Sequence, residues 1–184
     1  MGDVFKLKQS LFAVLKGQWR FSRRVFHIDG TPMGSVEDAV ATFSSPKDSN
    51  LECSSSSPNA FASECFNKPK LLYREQGEMI MPNKDRTKLK FYREYLYKFS
   101  SDTEADVYFY QPGNESEHLK FFHHVGVNDE GINCTEHLCI ADIYKVDMKF
   151  LSEEKLSMKW RVKGPQKDYA IETLMVKEKK SNSG

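Results

Sequence analysis

From Gly17 to Val176 the chain alternates apolar and polar residues with a period of two, interrupted by short turn-forming clusters and one Ser-rich stretch. Successive side chains of an extended strand point to opposite faces, so each alternating run reads as a half-buried β-strand. The runs "GQWRFSRRVFHI", "SVEDAVATF", "KLLYREQGEMIM", "KLKFYREYLYKF", "ADVYFY", "HLKFFHHVGV", "HLCIADIYKVDMKF", "KLSMKWRV" and "KDYAIETLMV" predict eight to nine strands. Turn signals such as "HIDGTP", "MPNKD", "QPGN" and "NDEG" separate them. No second helical pattern is long enough for a crossover between parallel strands, which leaves an antiparallel sheet. An open sheet of this size has two unpaired edges. Closure removes them, so the expected fold is all-β: an antiparallel up-and-down β-barrel of eight to nine strands with a short N-terminal helix, a two-sheet sandwich being the alternative.

The helix is read from Val4, Leu7, Leu11, Val14 and Leu15, which recur at helical spacing over residues 3–15 before Gly17 ends the pattern. With 184 residues the chain is long enough for one core and short for two, so a single barrel domain is expected over residues 1–180, followed by a disordered tail at 181–184. Residues 44–70 form a Ser-rich loop insertion with Pro46, Pro58 and Pro69. It reads as a solvated insertion, or as a lid that docks Phe61 and Phe66 over a barrel mouth.

Composition removes several function classes. The 27 basic residues nearly balance the 26 acidic ones, so there is no electrostatic footprint for nucleic acid or an anionic membrane. No apolar run approaches the ~18 residues of a membrane-spanning helix. Cys53, Cys65, Cys134 and Cys139 form no C-x-x-C pair, which fits a reducing, cytoplasmic setting. The acid-poor, amphipathic N-terminal segment makes a mitochondrial presequence the alternative. Met-Gly at the start is followed by Lys6 where a myristoylation signal wants Ser or Thr, and the sequons at Asn114 and Asn133 have no secretory signal beside them.

Strand parity identifies candidate site residues, because polar groups in phase with large aromatics share the buried face. Arg23 is in phase with Trp19, Phe21 and Val25, and Glu75 with Tyr73, Gly77 and Met79. Tyr95 and Tyr97 align with Phe99, His123 with Phe121 and Val125, and Lys167 with Tyr169, Ile171 and Thr173. In "HLCIADIY", His137 and Cys139 share one phase while Asp142 and Tyr144 share the other, and a bulge near Ile140 would bring all four to one face. Unpaired charges inside an apolar core cost several kcal/mol each, so this inventory predicts a polar cavity. A buried Arg23–Glu75 ion pair is the alternative for those two residues. In "WRVKGPQKDY", Gly164 and Pro165 interrupt a strand and re-aim Lys167, Asp168 and Tyr169 into the same cavity.

The resulting ligand-binding set is Arg23, Glu75, Tyr95, Tyr97, His123, His137, Asp142, Tyr144, Lys167, Asp168 and Tyr169. Cys134, His137 and Cys139 in an extended strand do not match the spacing of structural zinc sites, and no metal or other cofactor is implied. Catalysis would use His123, His137 and Asp142, or Lys167 and Tyr169, as acid and base, with Cys139 or Tyr169 as the candidate nucleophile.

"GQW" after a short helix resembles the G-x-W entry of the calycin superfamily of lipocalins, fatty-acid-binding proteins and nitrobindin-like barrels. The resemblance implies a calycin-like barrel in which a basic residue of the last strands stacks across Trp19, with Arg161 or Lys163 as the match. Haem binding of the nitrobindin kind needs an axial His in an apolar pocket, which the predicted charged lining opposes. The chain is also similar over nearly its whole length to a domain-of-unknown-function family numbered 6314. The matching motifs are Gly17-x-Trp19-x-Phe21-x-Arg23, Tyr73-x-Glu75-x-Gly77, Tyr95-x-Tyr97-x-Phe99, Phe122-His123, His137-x-Cys139-x-Ala141-Asp142-x-Tyr144 and Trp160-x-Val162-x-Gly164-Pro165-x-Lys167-Asp168-Tyr169. That family brings no established activity, and the Ser-rich insertion departs from its compact bacterial members. Function is therefore expected to be the binding of a small polar or anionic molecule. The alternatives are a hydrolase, lyase or isomerase in the same cavity, and a subunit of a larger protein or ribonucleoprotein assembly. Oligomeric state is not legible.

Overall fold

The computed structural model describes residues 6–46, 68–111 and 119–179. A helix α1 (Leu11–Leu15) precedes β1 (Gly17–His27), β2 (Pro32–Ser44), β3 (Lys70–Ile80), β4 (Lys88–Phe99), β5 (Glu104–Phe109), β6 (Phe121–Asn128), β7 (Gly131–Cys134), β8 (His137–Cys139), β9 (Asp142–Ser152), β10 (Lys155–Gly164) and β11 (Lys167–Lys177). All eleven strands join one antiparallel sheet in the order β7-β6-β5-β4-β3-β2-β1-β11-β10-β9-β8. Sequence neighbours pair except β7 with β8, and β1 pairs with β11 from the other end of the chain.

The sheet curls into a half-barrel, and the all-β, up-and-down, calycin-like architecture read from the sequence is observed. The described residues form eleven strands rather than eight to nine, because "HLCIADIY" divides into two and "GINC" forms its own short strand. β7 and β8 are the ends of the sheet, and no ladder joins them; β7 instead packs against β9. Only Thr135 and Glu136 cross between the two ends. Thr135 N donates to the His124 carbonyl at 3.1 Å, and His124 N donates to Thr135 Oγ1 at 2.9 Å, which ties the crossing to β6. Both end strands are short, which limits the exposed edge available to another chain.

The concave face is the core. Trp19, Phe21, Phe43, Tyr73, Phe99, Val107, Val125, Leu156 and Met175 are buried on it, each worth roughly 1.5–3 kcal/mol of transfer free energy. The helix seals one end with Leu11, Val14 and Leu15. It is shorter than the expected 3–15: Ser10 caps it by accepting from Ala13 N, and residues 6–10 are non-helical, with Lys8 N and Gln9 tethered to the Glu153 carboxylate. Trp19 Nε1 donates to the Leu15 carbonyl at 2.8 Å, joining helix to sheet. The basic residue over Trp19 is Lys177, its cross-strand partner, with Nζ 5.5 Å from the ring and 2.6 Å from the Val14 carbonyl. Arg161 and Lys163 do not take that place; Arg161 pairs with Asp168 instead.

The Ser-rich insertion joins β2 to β3. Phe61 and Phe66, Cys53 and Cys65, Val4 and the tail 181–184 lie outside the described residues.

Candidate functional site

The concave face encloses a cavity of about 640 Å³. One wall is a column of nearly parallel rings that spans the curl of the sheet. Tyr95 of β4 stacks on Phe122 of β6 at 5.3 Å and 13°, and Phe122 stacks on Trp160 of β10 at 5.4 Å and 8°. β6 and β10 are remote in the sheet order, so this stack holds opposite sides of the half-barrel together.

Behind the column lies a polar centre. Arg23 presents its guanidinium fork to Glu75, with Nη1–Oε1 at 2.9 Å and Nη2–Oε2 at 2.7 Å. Arg23 Nε donates to Thr173 Oγ1 at 3.0 Å, and the Tyr73 hydroxyl donates to Glu75 Oε2 at 2.6 Å. Burial alone would raise the Glu75 pKa, but the bonds from Arg23 and Tyr73 and the nearby Arg93 outweigh it and hold the carboxyl below its ordinary range. Burial, then the adjacent Glu75 charge, pushes the Tyr73 hydroxyl well up. Tyr97, on the same wall, is likewise raised, chiefly by burial.

The opposite side carries His123 of β6 and His137 of β8, both buried. Their rings pack edge-on to Phe122 at 4.5 and 5.0 Å, and His123 also meets Trp160 at 5.5 Å. Neither ring nitrogen of His123 has a hydrogen-bond partner, and His137 Nε2 is equally buried and unpartnered. Burial, then the neighbouring His137 and His124, lowers the His123 pKa to about 4, so its imidazole is neutral at physiological pH. A neutral imidazole offers one donor and one acceptor, and leaving either unsatisfied costs roughly 1–3 kcal/mol.

Local structure explains how these residues arrive. The β5–β6 pairing shifts register between Val107 and Tyr108. Phe122 and His123 thereby both reach the interior, while Phe121, expected inside, is exposed. His137, Cys139, Asp142 and Tyr144 do share one face, through a hairpin rather than a bulge: Ile140 and Ala141 form the turn, setting His137 opposite Tyr144 and Cys139 opposite Asp142. Ile140 holds φ at 59°, which a β-branched residue rarely adopts.

Pro165 and Gln166 likewise form the two-residue turn between β10 and β11, with Gly164 paired to Lys167. Lys167 Nζ donates to Asp142 Oδ2 at 2.6 Å and to the Tyr144 hydroxyl at 3.2 Å. These bonds, Asp142 first, raise the Lys167 pKa and keep it charged. A Cβ at Gly164 would lie 1.8 Å from Asp142 Oδ1, so the close approach of Asp142 requires glycine there. Asp168 is a correction. One position from Lys167, it falls on the convex face and pairs with Arg161, so it does not enter the cavity.

Of the predicted residues, Arg23, Glu75, Tyr95, Tyr97, His123, His137, Tyr144 and Tyr169 line one cavity. Asp142 and Lys167 sit at its rim, bonded to each other beside Tyr144. The interior is more aromatic than the expected charged lining, because Arg23 and Glu75 satisfy one another. Sequence reasoning passed over Arg93, although it shares the parity of Tyr95 and Tyr97; its Nε lies 3.9 Å from Glu75 Oε1 at the rim. The histidine bonded to a carboxylate is His124, with Nδ1 2.8 Å from Asp106 Oδ1, and it does not line the cavity. Among the described residues no three His, Cys, Asp or Glu side chains are grouped to hold a metal ion.

The half-barrel is similar to the solved structure of an S-type phycobiliprotein lyase, CPES, from Guillardia theta, with a TM-score of 0.57, 10% sequence identity and 94% of each chain covered. At that identity the likeness is one of fold. No curated protein matches the chain. The profile of a family of unknown function, DUF6314, matches residues 15–177, a span that contains all eleven strands and every cavity residue named above. The chain belongs to that family of unknown function.

Proposed function

We propose that this protein binds a small polar molecule in the half-barrel cavity, the ligand's hydrogen-bonding group lying against His123 and His137 and its body against the rings of Tyr95, Phe122 and Trp160. The observation that carries this reading is the set of buried, unpartnered nitrogens on two neighbouring histidines. A ligand group that both donates and accepts, such as an amide, recovers their lost hydrogen bonding, and the aromatic lining suits an apolar body. The test is calorimetric titration with 2-naphthamide as probe. Wild type binds it, and His123→Phe or His137→Phe weakens binding about tenfold, the equivalent of one buried hydrogen bond. No binding by wild type, or unchanged affinity in both variants, refutes the reading.

A second reading, an acid–base enzyme, draws support from Lys167, which is held protonated beside the Tyr144 hydroxyl at the rim. Turnover of a screened substrate with a bell-shaped pH profile, abolished in Lys167→Met, would establish it; retention of turnover in that variant would dismiss it. A cytoplasmic location is proposed with either reading.

A further inference from the structure

The charges around the cavity do not cancel. Glu75 has two guanidinium groups beside it, Arg23 and Arg93, and one carboxylate cannot neutralise both. Its oxygens are taken by the Arg23 fork and by the Tyr73 hydroxyl. The 3.9 Å from Arg93 Nε to Glu75 Oε1 is too long for a hydrogen bond. Glu94, the other carboxylate of the lining, is bonded to Arg74 outside the lining, and at the rim Lys167 is bonded to Asp142. One positive charge therefore remains in excess at the cavity wall among the described residues, and Arg93 carries it.

Resting on the proposed function, we infer that Arg93 is the receptor for a single negative charge on the ligand, which makes the natural ligand an organic monoanion, a carboxylate. A planar fork can hold a carboxylate with two parallel hydrogen bonds. Arg93 lies two positions from Tyr95 on the same strand face, so a carboxylate held there has its body beside the aromatic column. The Arg23 guanidinium is buried and its charge is already matched by the two bonds to Glu75, and Lys167 is already engaged by Asp142 at 2.6 Å. A dianion would exceed the available charge.

The test compares two probes of the same shape, each with an amide for His123 and His137 at one end and differing at the other, 6-carbamoyl-2-naphthoate and naphthalene-2,6-dicarboxamide, against wild type and Arg93→Gln by calorimetric titration. The Arg93 side chain is 52% exposed, so its replacement leaves the core intact. The expected result is roughly tenfold tighter binding of the carboxylate by wild type, and loss of that preference in Arg93→Gln. Equal affinities in wild type, or a carboxylate preference that survives Arg93→Gln, overturns the role of Arg93 while leaving the cavity a binding site. Binding of neither probe by wild type overturns the cavity reading and this inference with it.

Discussion

Glu75→Gln preserves the shape of the carboxyl group and removes its charge, which isolates the electrostatic part of the polar centre. The wild-type carboxylate accepts two bonds from Arg23 and one from Tyr73, all buried. Charge-assisted bonds contribute about 1.5–3 kcal/mol each; the amide keeps one acceptor oxygen and turns an amino group toward the Arg23 fork, so one such bond is lost outright and the cost is at least about 1.5–3 kcal/mol. An independent route gives about 3–5 kcal/mol for removing one partner of a buried ion pair. The more exposed Arg93 adds no more than about 1 kcal/mol. Urea unfolding at pH 7, followed by circular dichroism, measures the difference. The double variant Arg23→Met/Glu75→Leu, which removes both charges, should fall within about 2 kcal/mol of wild type. pH supplies an internal check. The folded pKa of Glu75 is depressed, so its contribution is complete above the unfolded value of about 4.3 and disappears as pH falls through the folded value. The gap between wild type and Glu75→Gln must therefore close in acid. A Glu75→Gln cost below about 1 kcal/mol would mean that the Arg23 charge is solvated, and the reasoning from burial would fail.

Three further outcomes are expected. His123, with a folded pKa near 4 against about 6.5 unfolded, lets the unfolded chain bind the extra proton first, so stability is complete above pH ~6.5 and declines by up to about 3 kcal/mol toward pH 4; His123→Phe should flatten that slope, and an unchanged slope counts against a buried neutral His123. Ile140→Gly relieves a β-branched residue in the left-handed region and should raise stability by about 0.5–1 kcal/mol, whereas a loss in urea unfolding would show that the Ile140 side chain makes a contact of value. Gly164→Ala pushes Asp142 away from Lys167 and should cost about 1–3 kcal/mol in wild type but much less beside Asp142→Ala; equal costs in both backgrounds would deny the contact.

Much of the site was legible because parity is robust inside long, regularly paired strands. Tyr73 and Glu75 on β3, and Tyr95 and Tyr97 on β4, lie where the period of two puts them, since their pairing runs in register from Lys70 to Ile80. Arg93 was equally readable and was passed over. Parity failed where register changes. The shift opposite Tyr108 exchanged Phe121 for Phe122, and no residue type in "FFHHV" announces it. The sequence suggests a bulge at Ile140–Ala141 rather than a hairpin because neither residue belongs to ordinary turn chemistry. Asp168 differs from expectation because Gly164 and Pro165 lead into a two-residue turn and not a kink, and consecutive strand residues after it alternate in face. The expected charged lining assumed that inward ions stay available to a ligand, whereas the Arg23 fork closes on Glu75. Lys177 was missed over Trp19 because the cation comes from the directly opposite strand position, a pairing that only register reveals.

Nitrogen-resolved NMR of the histidine rings, recorded with and without 2-naphthamide, tests the central claim most directly, since it observes the atoms left without partners. The account predicts that His123 and His137 shift on addition of the probe while His124, held by Asp106, does not. Ring resonances of His123 and His137 that stay still at saturating probe, or a shift confined to His124, would contradict it.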